Sequence, residues 1–269
     1  MKRKSLYIFA FLILAILITT LKEITDEEES FIPEKVKFAR WDSDIKLSDT
    51  FPERSLNLVF IAPPSAVEHI EGISLKDTEK IKLIEYQIEK GDEINDKYSL
   101  FTLIATIGVA NVIEQISETI QTITIRTEDQ SEYDFTVGNI QVSTGLHENL
   151  LEVVDSYRVL SSKLTFDVKL RNSGEDSITL KELFIDNKHL QFNTILVNGK
   201  NFDTDVVIQP DEMIRLTANF HELEGDVDFY QITPTLHYEM NGESYTTNIE
   251  STLYYDMDEE TINRIIGRK

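Results

Sequence analysis

The sequence predicts a mainly β protein: an N-terminal transmembrane helix followed by two tandem β-sandwich domains, the second immunoglobulin-like. Three observations predict it. One stretch without any charge, SLYIFAFLILAILITTL, occupies residues 5–21. Beyond residue 35, apolar side chains recur mainly with a period of two, as on half-buried strands. Turn residues then divide roughly the last hundred positions into about seven short strands, the count of a sandwich.

The apolar stretch is long enough to matter. At about 1.5 Å per residue it spans roughly 26 Å, close to the ~30 Å of a hydrocarbon core. Lys2, Arg3 and Lys4 precede it, and Glu23, Asp26, Glu27, Glu28 and Glu29 follow it. The positive-inside rule therefore places the first four residues in the cytoplasm and the body outside. A cleaved signal peptide would share the basic and apolar regions, but the exit Ile18-Thr19-Thr20-Leu21-Lys22 has no Ala-x-Ala site. The preferred reading is a retained signal-anchor over 5–21, with a cytoplasmic tip at 1–4 and an acidic stalk over 22–34.

Composition narrows the partners. The 269 residues carry a net charge of −22, and all 48 acids lie beyond the apolar stretch. Such a surface repels nucleic-acid phosphates. With no cysteine, disulfides, thiolate metal sites and a thiol nucleophile are excluded. The chain also lacks an Asn-x-Ser/Thr acceptor. Both absences suit a prokaryotic surface protein.

The region 147–256 is the more regular half of the body. In residues 163–171, Leu164, Phe166, Val168 and Leu170 alternate with Thr165, Asp167, Lys169 and Arg171, the pattern of an antiparallel strand with one buried face. The turn Asn172-Ser173-Gly174-Glu175-Asp176 leads to a strand over 178–185, and Ile214, Leu216, Ala218 and Phe220 form a further buried face. Asn241-Gly242 is a favoured two-residue hairpin turn. Pairing outward from it sets Tyr238 opposite Tyr245, Leu236 opposite Thr247 and Pro234 opposite Ile249. A slip of one residue would spoil the agreement of the inward partners.

Three of these segments carry a resemblance. Leu164-Thr-Phe-Asp-Val-Lys-Leu-Arg-Asn-Ser-Gly174, Ile178-Thr-Leu-Lys-Glu-Leu183 and Ile208-Gln-Pro-Asp-Glu212 resemble prokaryotic immunoglobulin-like surface modules of the CARDB type, with their Asn-x-Gly corner and Pro-x-Glu turn. The resemblance covers about 151–255. It implies a non-enzymatic, surface-displayed sandwich and transmits no site residue. The chain holds one such module rather than a tandem array.

The first β-rich domain, 35–146, is less regular. Strands are expected over 56–62, 80–88, 100–107 and 122–127, with two more over 133–142 broken at Gly138. Val109, Val112, Ile113, Ile116 and Ile120 fall at helical spacing, which predicts a helix over 109–120. Pro63-Pro64 ends a strand and opens a loop. A short helix is expected within 257–269: acids lead it, Arg264, Arg268 and Lys269 close it, and that order suits the helix dipole.

Candidate chemistry is sparse. His69, His147, His189, His221 and His237 show no ligand spacing, and His237 lies on the outward phase of its strand. No nucleophile elbow, phosphate-cradling loop or dinucleotide fingerprint is present, so no catalytic residue and no cofactor are assigned. Calcium candidates are Asp42, Asp44 and Asp49 in one cluster and Asp256 and Asp258 in another. A solvated charged face is the simpler reading of both. Ile262, Ile265 and Ile266 share one face of the C-terminal helix; they either dock on the chain's own body or bind a partner.

The expected function is a non-catalytic, membrane-anchored extracytoplasmic protein acting as an interaction or assembly module of the cell envelope. Its partners would be the membrane, through one helix, and a protein, with no nucleic acid and no small-molecule substrate. The alternative is a sensor or accessory subunit of a membrane transporter or signalling complex, contacting it through the helix. That role favours small or polar residues along the span, where only Ala10, Ala15, Thr19 and Thr20 qualify.

Overall fold

The structure, a computed structural model, describes residues 31–49, 51–111, 115–145, 150–156, 164–203, 205–223, 225–249, 252–254 and 256–268. The expected anchor over 5–21 lies outside the described residues, among which no helix is long and apolar enough to cross a membrane. The expected stalk over 22–34 is corrected at its end. The Phe31 ring stands 5.1 Å from that of Tyr133 and packs against a core, so the chain has joined the body by that residue.

In chain order the strands are β1 (Lys37–Phe38), β2 (Trp41–Leu47), β3 (Glu53–Ala62), β4 (Ile70–Leu75), β5 (Ile81–Asn95) and β6 (Tyr98–Val109). There follow β7 (Ser117–Thr127), β8 (Glu132–Thr144), β9 (Leu151–Ser156), β10 (Thr165–Asn172), β11 (Ile178–Phe184) and β12 (Leu190–Val197). The last are β13 (Lys200–Asn201), β14 (Val206–Ile208), β15 (Met213–Glu222), β16 (Phe229–Ile232), β17 (Thr235–Met240), β18 (Glu243–Asn248) and β19 (Thr252–Tyr254). The helices among the described residues are a 3-10 turn at Pro33–Lys35, the short Pro64–Glu68 and the C-terminal Glu259–Gly267. The fold is mainly β.

Among the described residues four sheets form, ordered β1-β3-β6-β5, β19-β16-β2-β8-β7-β4, β13-β12-β15-β10-β9 and β14-β11-β17-β18. The buried apolar residues fall into two clusters. The first joins the first two sheets, with Phe60 and Leu58 from one and Ile123, Ile125 and Val142 from the other. The second joins the remaining two, with Phe166, Val168 and Leu216 from one and Leu180, Leu236 and Tyr238 from the other.

The second core follows the sequence pattern closely. Phe166, Val168 and Leu170 are buried, as are Ile214, Leu216, Ala218 and Phe220. β17 and β18 pair Tyr238 with Tyr245 and Leu236 with Thr247, and the Ile249 N–H donates to the Pro234 carbonyl at 2.8 Å. Asn241 and Gly242 take φ of 55° and 81°, as a two-residue hairpin turn of this twist requires.

Three features of the first half depart from expectation. The helix expected over 109–120 is not formed by its described residues: Val109 ends β6, and Ser117 to Ile120 open β7. The spacing misled because four residues is both about one helical turn and two strand repeats, so Ile116 and Ile120 reach one core either way. The two strands expected over 133–142 are one, β8, bent where Gly138 takes a φ of 111°. The Pro63-Pro64 loop is instead a helix start, with Pro64 in its first turn, where a missing N–H costs nothing.

Strand pairing crosses the expected division into 35–146 and 147–256. β16 and β19, both beyond residue 147, complete the second sheet, because β16 pairs in parallel with β2. Without them β2 would be an open edge. Alternation then sends Phe229 into the first core and Tyr230 and Ile232 into the second, so β16 belongs to both.

Candidate functional site

β2 lies between β16 and β8 and pairs in parallel with each. Its odd residues Trp41, Ile45 and Leu47 enter the first core, and the Trp41 and Phe229 rings lie 5.0 Å apart. Its even residues therefore face the other way, toward the seam with the second core. Two of them are Asp42 and Asp44, only 4% and 2% exposed. Their separation along the strand is roughly 7 Å, two residue rises.

The seam satisfies these acids poorly. Asn139, opposite Asp42 on β8, donates its amide to Asp42 Oδ1 at a long 3.5 Å. His189 Nε2 stands 3.9 Å from Oδ2. Lys46 Nζ lies 2.9 Å from Asp44 Oδ1, yet neither oxygen of Asp44 accepts a well-formed hydrogen bond, nor does Oδ2 of Asp42. The ammonium forms a close ion pair with Oδ1. Desolvation raises both carboxyls: Asp42 above the ordinary range, and Asp44 to about 6, with Lys46 opposing and Asp186 and Asp42 adding to the rise. A buried charge without full compensation takes up a proton rather than bear the cost.

The loop between β11 and β12 closes over this face. The Asn187 carbonyl Oδ1 accepts the N–H groups of His189 and Leu190, each at 2.9 Å. A Cβ at Gly225 would stand 2.6 Å from His189 Nδ1, so the imidazole rests on bare backbone. On the flank, the Tyr230 hydroxyl donates to Glu222 at 2.6 Å. Burial and then Glu222 raise its pKa.

A second polar cluster fixes the C-terminal helix. Asp228, whose side chain is fully buried, accepts the Arg40 N–H at 2.7 Å and Arg264 Nε at 2.8 Å. It also pairs with Arg268, which reaches Asp226 at 2.9 Å. Arg40 pairs with Asp226 as well. Desolvation would raise Asp226, but Arg268 and Arg40 outweigh it and hold its carboxyl low.

The residues singled out in the sequence do not assemble into one site. Asp42 and Asp44 are buried rather than on a solvated face. Asp49 follows the end of β2 and is exposed, as are Asp256 and Asp258. Asp258 caps the C-terminal helix by accepting the Thr261 N–H at 2.8 Å. Among the described residues no three His, Asp or Glu side chains gather as metal ligands. Ile265 is fully buried in the first core, and Ile262 and Ile266 pack against that core. Those three isoleucines therefore meet the chain's own body. His237 stacks edge-on to Phe184, with centroids 4.7 Å apart, and its side chain is 39% exposed. His69 meets Glu128 at 3.2 Å, and His147 lies outside the described residues. Asn187, Arg40 and Asp228 went unnoticed in the sequence, and His189 figured there only as one of five histidines without ligand spacing. The alternation of Trp41, Ile45 and Leu47 through the acids is the sequence signal that places Asp42 and Asp44 on a strand.

No family model matches the chain, and no curated protein matches it. Solved structures similar to it include three from bacterial proteins. The C-terminal domain of the Streptococcus agalactiae AgI/II polypeptide BspA is 10% identical over 82% of this chain and 99% of its own, with a TM-score of 0.21. The collagen adhesin from S. aureus is 10% identical over 81% of this chain and 90% of its own, with a TM-score of 0.23. The collagen binding domain of Erysipelothrix rhusiopathiae surface protein RspB is 9% identical over 85% of this chain and 99% of its own, with a TM-score of 0.26. At these scores the likenesses carry no argument about fold or function.

Proposed function

We propose that the chain is a non-catalytic, membrane-anchored module of the cell envelope that meets a protein partner on the extracytoplasmic side. The observation that carries this reading is β5. It is fifteen residues long and exposed over most of its length, and it forms one edge of its sheet. An edge strand offers a row of free N–H and C=O groups to an added strand. The register shifts around Ile84 and again beyond Lys90. These bulges, with Lys82, Glu85, Glu89, Lys90, Asp92 and Glu93 along the strand, limit indiscriminate pairing. Ile84, 52% exposed, supplies an apolar contact for the strand that does fit. The anchor and its orientation rest on residues 1–29 and their charge asymmetry. The sensor or accessory-subunit alternative would put its decisive contacts in 5–21, outside the described residues.

Site-specific photocrosslinking of the full chain in its own membranes tests the proposal. A crosslinker at Gln87 should give a discrete adduct with another protein, reduced by Ile84→Lys, whereas one at Lys200 should not. Equal labelling at both positions would contradict the assignment of β5. Protease added to intact cells should digest the body, and protection of it would contradict the orientation.

A further inference from the structure

We propose that the seam between the two cores is a proton-operated latch: uptake of protons by Asp42 and Asp44 closes the 186–189 loop onto β2, and their ionisation loosens it. The proposal rests on placement. The two carboxylates come from the first core's sheet, and the loop over them comes from the second core's unit. Three of their four oxygens are buried without a well-formed hydrogen bond, and the groups beside them, Lys46 at Asp44 and the Asn139 and Asn187 amides at Asp42, do not offset the cost of holding ionised acids in a low-dielectric seam. A protonated acid gives up its charge and gains an O–H donor, removing both the desolvation cost and the mutual repulsion.

The charged groups facing the acids come from every packed element. They are Lys46 on β2 itself and Asp186, Lys188 and His189 on the loop. Tyr230 on β16, with Glu222 and Arg264 beside it, completes the ring. Lys46 and Lys188 oppose ionisation-driven loosening, and Asp186 adds to it. The sign follows from the raised carboxyls. A group that holds its proton more tightly when folded stabilises the fold below its unfolded pKa, and that contribution fades as pH rises through the folded value. For Asp44 the window runs from the ordinary 3.8 to about 6. One pKa unit is a tenfold change, and about one unit of the window lies above pH 5, so the latch equilibrium moves by about tenfold between pH 5 and pH 7.5.

The test is hydrogen exchange and thermal melting of the full chain in detergent at pH 5 and pH 7.5, with exchange corrected for its intrinsic pH dependence. The expected result is that amides of 187–190 lose about tenfold of protection at pH 7.5, while those of the β17–β18 hairpin do not. Asp44→Asn, which mimics the protonated acid, should remove most of that difference and raise the melting temperature at pH 7.5. If Asp44→Asn does not fold, Asp42→Asn and the wild-type exchange pattern decide. Unchanged protection of 187–190 between the two pH values overturns the proposal, as does a loss shared equally by the hairpin. A calcium-dependent rise in melting temperature at pH 7.5 that Asp44→Asn abolishes also overturns it, since the acids would then serve a cation. Because the readout is confined to the seam, its failure would leave the β5 reading standing.

Discussion

A Cβ placed on Gly138 would stand 2.0 Å from the Trp41 carbonyl oxygen and 2.4 Å from its nitrogen. No side chain relieves such a contact, because both atoms are backbone. Gly138 pairs with Trp41 at the start of the parallel β2–β8 ladder, and its φ of 111° is one that L residues rarely adopt. Gly138→Ala is therefore expected to cost at least about 2 kcal/mol, from backbone strain and overpacking together. Denaturant unfolding checks this, and a loss below about 0.5 kcal/mol, typical of a surface change, would show that β2 and β8 do not approach so closely. The same ladder presents Asp42 and Asp44 to the seam, so the glycine also positions the latch.

At the scale of elements, the C-terminal helix shows how a short segment is held. Nine residues form a marginal helix alone. Asp258 caps it, Glu259 and Glu260 lie in its first turn, and Ile265 enters the first core. Arg264 and Arg268 then close on Asp228, which is buried and would be left as an unpaired charge without them. Asp228→Ala should cost roughly 3–5 kcal/mol, as breaking a buried pair does, and should release the helix. Exchange of the 259–267 amides should accelerate well beyond that of the β17–β18 hairpin. Equal acceleration in both would mean that the helix is not held by this cluster.

Elements differ in how much of them the sequence reveals. β10, β15 and the β17–β18 hairpin are legible because each is half-buried and antiparallel, with alternation and turn chemistry in plain view. The C-terminal helix is legible from its charge order and its three isoleucines. β2 is not. Its neighbours are Gly138 and Phe229, distant in sequence, and parallel pairing leaves no local mark. The even positions of β2 carry Asp42, Asp44 and Lys46, which read as solvent-facing, because a carboxylate in the sequence does not show that another part of the chain will cover it. For the same reason the Asp228 cluster, built from residues of three distant segments, has no local signature.

At the scale of the molecule, the account turns on the two cores being one body. β16 lends Phe229 to one core and Tyr230 and Ile232 to the other, the β11–β12 loop closes over β2, and the C-terminal helix returns to the first core after the chain has finished the second. Neither core can come apart without exposing residues of its partner, so unfolding should be cooperative across both. The most direct measurement is differential scanning calorimetry of the full chain in detergent near pH 5. A single transition is expected, with van't Hoff and calorimetric enthalpies that agree. Two separable transitions, one of them retaining the packing of the β17–β18 hairpin after the other is complete, would contradict it.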